Sequence, residues 1–152
     1  LVRSYNLELA ALNCPLRRGL DSAEHQQQRI EHVRKAMQLA FDLGPRTVVV
    51  PLPKLPTDEE SPRAKLLREA LLDLSRYGDR IGTRVAVEAG FDAGDKVRDY
   101  LATFDSGSLT VAFDPANFLL NGHDPIASLM SLAGRVGYVQ ARDGRTQSLS
   151  GG

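Results

Sequence analysis

Apolar positions along this chain follow two rhythms that take turns. Thr47-Val-Val-Val-Pro-Leu52, Arg84-Val-Ala-Val-Glu88 and Leu109-Thr-Val-Ala-Phe-Asp114 are short apolar runs with many β-branched residues. Such runs predict strands buried on both faces, as in a parallel sheet. Asn6-Leu-Glu-Leu-Ala-Ala-Leu-Asn13 predicts a strand ahead of them, ending at Cys14-Pro15. Gly137-Tyr-Val-Gln-Ala-Arg-Asp143 predicts a last strand and its exit. Between these runs the spacing changes to that of a helix. Ile30, Val33, Met37, Ala40 and Phe41 form one stripe, and Leu67, Leu71, Leu74 and Ile81 form a second. Val97 and Leu101 mark the inward side of a short helix over Asp95–Phe104.

The punctuation agrees with this division. Asp21 or Ser22 caps the first helix, with Glu24 placed as in a capping box. Gly44-Pro45 ends it. Ser61-Pro62 starts the second helix, a serine cap before a proline in the first turn, and Gly82 breaks it. Pro51, Pro53 and Pro56 stiffen a loop that carries Lys54 toward any ligand. Asn121-Gly122 is a turn, and Asp124-Pro125 begins a helix through Leu132. Strict alternation of strand and helix with short connections means a parallel sheet covered by helices. Two architectures fit: an open, doubly wound five-stranded sheet, or most of a (β/α)8 barrel. No glycine-rich phosphate loop follows the first strand, which weakens the nucleotide-binding version.

Composition narrows the partners. The chain has 152 residues, 42% of them hydrophobic, enough for one domain or part of one. The formal net charge is zero, so neither nucleic acid nor an anionic membrane is an expected partner. The single cysteine, Cys14, allows no internal disulfide and suits the cytoplasm. No apolar run approaches the roughly 18 residues of a membrane span. The chain opens in a helix-to-strand passage, Leu1 to Asn6, and closes in a loop, Gln147 to Gly152. The expectation is that residues 1–152 are the central part of a single larger domain. The strand edges at Asn6–Asn13 and Gly137–Arg142 would then be open, which favours self-association into a homo-oligomer.

In either architecture ligands sit beyond the C-terminal ends of the strands, where the chain puts Glu88, Asp114, Gln140 and Asp143. A carboxylate at such an end is costly unless a cation, an arginine or hydrogen bonds compensate it. Glu88 and Asp114 close neighbouring strands and suggest a shared site. Gln140 offers a carbonyl oxygen to a hard ion, or a hydrogen bond to a neighbouring strand end. Asn117 either binds a substrate hydroxyl or caps a turn. Arg142 grips an anionic substrate or pairs with Asp143, and pairing is the expectation. His25 and His32 fall on a solvated helix face and His123 in an exposed turn. Cys14 would line the pocket rim, with no base beside it to make it a nucleophile.

Val-Ala-Val-Glu88, Phe-Asp114-Pro-Ala-Asn117, Asn-Gly-His-Asp-Pro125 and Tyr-Val-Gln140-Ala-Arg-Asp143 together resemble the sugar phosphate isomerase/epimerase family of the xylose-isomerase-like barrel superfamily. The resemblance covers essentially the whole chain and implies a partial (β/α)8 TIM barrel, strands three to seven. It also implies one divalent metal ion (Mn, Mg, Co or Zn), with Glu88 and Asp114 as ligands and Gln140 at the strand-seven position. Glu88 would be ligand and acid/base at once, Asp114 a ligand only. Asn117, Arg142 and Asp143 would face a small carbohydrate substrate. The implied chemistry is isomerisation or epimerisation next to a carbonyl through a cis-enediolate, with the metal polarising the carbonyl. The chain departs from the family at two ligand positions. Gln140 stands where the family has histidine on strand seven, and Asn117 where histidine often follows the strand-six aspartate. The strand-eight glutamate is not in these 152 residues. Two other readings stand beside this one. One is a barrel homologue that is catalytically impaired or non-catalytic. The other is an endonuclease IV-like phosphodiesterase, disfavoured by the lack of site-facing histidines and of a basic stripe.

Overall fold

The computed structural model describes residues 3–145. Leu1, Val2 and the C-terminal loop expected from Gln147 onward lie outside the described residues. Five strands form one parallel sheet in sequential order: β1 Leu12–Asn13, β2 Thr47–Pro51, β3 Arg84–Glu88, β4 Leu109–Phe113 and β5 Val136–Val139. The helices α1 Gln26–Leu43, α2 Pro62–Ile81, α3 Gly94–Ala102, α4 Pro115–Leu120 and α5 Pro125–Leu132 connect them. Sequential order without reversal is the arrangement of a barrel wall, and it excludes the doubly wound alternative.

The two faces of the sheet are sorted by alternation. Val48, Val50, Val85, Val87, Leu109, Val111 and Phe113 join the helices in the main core. Val49, Ala86 and Ala112 form a separate small cluster on the opposite face, with Ala11 and Tyr138 against it. That second face is the barrel interior. Continuing the alternation from Ala86 to Glu88, and from Ala112 to Asp114, brings both carboxylates to the interior at the C-terminal end of the sheet.

The expected helix signals hold at α2, where Ser61 Oγ accepts from Ala64 N, and at α5, where Asp124 Oδ1 accepts from Ile126 N and Ala127 N. Gly44 closes α1 at φ +105°, a conformation that favours glycine. Other expectations are corrected. Asp21 and Ser22 do not cap α1. His25 stands at the cap position, and its side chain makes no capping hydrogen bond. Asp21 pairs with Arg63 and Glu24 with Arg18, so the two acids of the expected box are used elsewhere. Phe41 leaves the buried stripe and lies under the Arg46 guanidinium, 4.8 Å from its ring centre.

The first strand is shorter than the run Asn6–Asn13. Leu12 pairs with Val48, the second residue of β2, so residues before Ala11 lie past the start of that strand, and Leu7 and Leu9 are exposed. The last strand ends at Val139 because β4 ends at Phe113, whose carbonyl takes one more bond, from Gln140 N at 2.9 Å. Helix α3 runs from Gly94 to Ala102, not from Asp95 to Phe104. Between β4 and β5 the register shifts: Val111 pairs with Val136, but Ala112 pairs with Tyr138. Gly137 is the extra residue of this bulge. A Cβ there would meet Thr110 Oγ1 at 2.4 Å, so the close approach requires glycine.

Candidate active site at the C-terminal end of the sheet

Asp114 sits one residue past β4 and is almost fully buried, with 1% of its side chain exposed. Its two oxygens have different partners. Oδ1 accepts from Ala116 N at 3.0 Å and Asn117 N at 3.3 Å, which caps α4. Oδ2 faces Arg142 Nη2 at 2.9 Å. The guanidinium approaches off the N–H axis, so Oδ2 gains a counter-charge but no hydrogen bond. The short helix α4 was not expected from the sequence. Its signal is nonetheless there, since Asp114-Pro115 repeats the cap-then-proline pattern of Ser61-Pro62 and Asp124-Pro125.

Glu88 ends β3 opposite Ala112 of β4 and Pro51 of β2. Burial pushes its carboxyl above the ordinary range, the Asp114 charge adds to that rise, and the Arg142 charge opposes it. Glu88, Asp114 and Arg142 therefore share one electrostatic neighbourhood.

Arg142 does not pair with Asp143, as the sequence suggests, but with Asp114. Asp143 turns to its own backbone and accepts from Gly144 N at 2.8 Å. The expected alternative for Glu88, an inward arginine, exists, but it is seated on the neighbouring carboxylate. Gln140 is exposed and follows β5 directly, its backbone N–H donating to Phe113 O. Asn117 Nδ2 donates to Ala89 O at 2.8 Å and so ties α4 to the exit of β3. His123 is half-buried, and its Nε2 lies 3.1 Å from Phe91 O, which links the turn after α4 to the loop after β3. His25 and His32 are exposed. Cys14 is not at a pocket rim. It is packed into the sheet–helix core, and burial raises its thiol. Lys54 is exposed and its carbonyl accepts from Arg63.

One residue near this end escaped the sequence reading. Asp92 is 6% exposed, its Oδ2 accepts from Leu55 N at 2.7 Å, and its Oδ1 accepts from Lys96 Nζ at 2.6 Å. It locks the loop after β2 to the loop after β3, and so stiffens the rim around Glu88.

No group of three or more His, Cys, Asp or Glu side chains able to hold a metal ion occurs among the described residues. The oxygens present nonetheless suit a hard divalent cation. Asp114 Oδ2 is a buried anionic oxygen with no hydrogen-bond donor, and Glu88 supplies a second carboxylate beside it.

A parallel barrel wall with paired carboxylates at its C-terminal end defines the class. The family of xylose isomerase-like TIM barrels matches residues 1–152, and the chain belongs to it. A xylose isomerase domain protein from Planctomyces limnophilus superposes with a TM-score of 0.82 at 20% identity, over 90% of this chain and 53% of that one. An apo 3-keto-D-glucoside 4-epimerase from E. coli gives 0.77 at 16% identity, over 91% and 60%. A xylose isomerase-like TIM barrel protein from Mycobacterium smegmatis in complex with magnesium gives 0.76 at 13% identity, over 93% and 53%. The chain thus spans little more than half the length of the solved structures it matches. No curated protein shows significant similarity to it. Among the described residues no helix is long and apolar enough to cross a membrane.

Proposed function

We propose that this chain supplies part of the active site of a divalent-metal-dependent isomerase or epimerase acting on a sugar or sugar phosphate. The observation that carries this reading is the pairing of Glu88 with Asp114, whose buried Oδ2 lacks a hydrogen-bond donor. Membership of the barrel family and the epimerase among its structural neighbours support it. The magnesium-bound neighbour supports the choice of a hard ion.

Glu88 and Asp114 would hold the cation, with the Gln140 carbonyl oxygen as a further donor. When bound, the ion supplies Lewis-acid stabilisation of negative charge on a substrate oxygen. Glu88 is the proton carrier. Its raised carboxyl pKa moves toward the working range of a general acid/base. It takes the proton from the carbon next to the substrate carbonyl, giving an enediolate. Return of the proton from Glu88 to the neighbouring carbon, with the hydroxyl proton passing to the former carbonyl oxygen, completes an isomerisation; protonation of the same carbon by a second acid on the opposite face completes an epimerisation. Asp114 holds its place through the α4 cap and does not move protons.

The test is solvent exchange. The protein at its natural length, loaded with Mn²⁺ or Mg²⁺, is incubated with a panel of ketoses and their phosphates in D₂O. The expected result is deuterium at the carbon next to the carbonyl, lost in Glu88→Gln. Full exchange in Glu88→Gln would remove Glu88 from this role.

A non-catalytic barrel is the second reading. It is favoured by Arg142, which already neutralises Asp114, and by Gln140 where an imidazole would be the stronger ligand for Zn²⁺ or Co²⁺. A metal-loaded protein that exchanges no substrate would support it.

A further inference from the structure

We infer that Arg142 is a built-in stand-in cation for Asp114, which a divalent metal must displace in order to bind. This rests on the assignment of Asp114 as a metal ligand and goes beyond it.

Asp114 has only one oxygen to offer, because Oδ1 is committed to the backbone N–H groups of Ala116 and Asn117. The guanidinium of Arg142 stands 2.9 Å from the remaining one. A metal ligated by Oδ2 and a guanidinium nitrogen at that distance would be two positive charges on one oxygen, at a range where like charges repel strongly. Arg142 and the metal therefore compete for that oxygen.

The geometry also shows which partner can leave. Asp114 is fixed: it is buried, it caps a helix, and it begins the turn into α4. Arg142 has 47% of its side chain exposed and lies past the end of β5, in a stretch without helix or strand. Its contact with Oδ2 lacks hydrogen-bond alignment, so departure costs no directional bond there. Asp143 does not hold it, being bonded to Gly144 N. In the metal-free protein, Arg142 relieves the cost of a buried, uncompensated carboxylate. On loading, the metal takes over that task.

The experiment is Mn²⁺ titration of the metal-free protein at its natural length, followed by calorimetry and by the electron paramagnetic resonance of free Mn²⁺. Wild type, Arg142→Gln and Asp114→Asn are compared, each also melted with and without Mn²⁺. Displacement predicts that Arg142→Gln binds Mn²⁺ about tenfold more tightly than wild type. It also predicts a lower melting temperature for Arg142→Gln without metal, with the gap to wild type closing under saturating Mn²⁺. A merely structural arginine would lower both melting temperatures equally. An arginine that supports the metal site would weaken binding when removed. Either result overturns the inference, as does unchanged affinity. Asp114→Asn separates the two levels of the argument. If it binds Mn²⁺ like wild type, or if no variant binds, the ligand assignment fails and the inference with it. If it loses binding while Arg142→Gln gains none, the ligand stands and displacement alone is wrong.

Discussion

Asn117 reaches back across Gly90 and closes the exit of β3 against the first turn of α4. Its Nδ2 donates to Ala89 O at 2.8 Å, and a Cβ on Gly90 would lie 2.5 Å from that same nitrogen. Gly90 also sits at φ +150°, which side chains rarely adopt. Gly90→Ala is expected to cost about 1–3 kcal/mol, through backbone strain and a displaced amide. Asn117→Ala should cost about 1 kcal/mol by loss of the bond. The pair should be non-additive, because Asn117→Ala removes two of the three close contacts of the new Cβ and leaves only the Cβ of residue 117, at 2.9 Å. Urea unfolding of the three variants measures all of this.

Asp114 performs two tasks with two oxygens, and substitutions can part them. Asparagine keeps a capping oxygen and loses the charge, so Asp114→Asn should leave the cap of α4 in place, since Asn and Asp cap almost equally well. Alanine removes the cap as well, at a further cost of about 1 kcal/mol. Both variants lose the counter-charge for Arg142. Denaturant midpoints that do not separate the two variants would show that the cap adds nothing.

Glu88 should make the metal-free protein less stable as pH rises. Burial raises its carboxyl above the ordinary 4.5, with Asp114 adding to the rise, so the folded state holds the proton more tightly than the unfolded chain. The resulting stability is fully present below the unfolded value and is lost as pH climbs through the folded one. Glu88→Gln removes this loss, so the variant should gain on wild type across that window. The group is part-exposed and screened, which keeps the gain below about 1 kcal/mol. Chelator-treated samples unfolded in urea from pH 4 to pH 8 provide the comparison. A constant difference between the two proteins would refute the assignment.

Tyr100 carries a buried hydroxyl with no hydrogen-bond partner among the described residues. Burial, opposed by Arg68 and aided by Glu59, pushes its phenol up to about 12. Tyr100→Phe should remove an absorbance transition at that pH. It should also leave stability unchanged or raised by up to about 1 kcal/mol, since an unsatisfied polar group disappears. A loss of several kcal/mol would mean that the hydroxyl has a partner after all.

The strand order was legible because each apolar run is bounded by glycine or proline and separated from the next by a helix-spaced stripe. Residues such as Val85, Val87, Leu67 and Leu71 could hardly be placed otherwise than in the core. The short first strand was not legible. Leu7 and Leu9 alternate as strand residues do, but whether they pair depends on where β2 begins, and that lies far along the chain. Helix α4 is hidden by the carboxylate that starts it, since Asp114 reads as the end of a strand as readily as it reads as a cap. The Arg142–Asp114 pair was out of reach for a related reason. Asp143 is nearer in sequence, and only the local turn shows that its oxygen is taken by Gly144 N. Such pairings are decided by the exit path of a loop, which composition and spacing do not encode.

The bulge at Gly137 has a consequence in parity. A strand counts its residues in twos, and this bulge adds one. Up to Val136, β5 is in step with β4, and Val136 packs toward the helices. Past the bulge, Tyr138 meets Ala112 on the inner face. Val139, opposite Phe113, and Gln140, bonded to Phe113 O, keep that inversion. Were Gly137 paired with Ala112 in a regular ladder, Tyr138 and Gln140 would count toward the helix layer, and the exit that carries Arg142 to Asp114 would start from the wrong face. What the last strand can bring to the carboxylates thus depends on Gly137 standing out of the ladder: deleting it would keep Tyr138 opposite Ala112, whereas pairing it with Ala112 would turn the tail of β5 inside out.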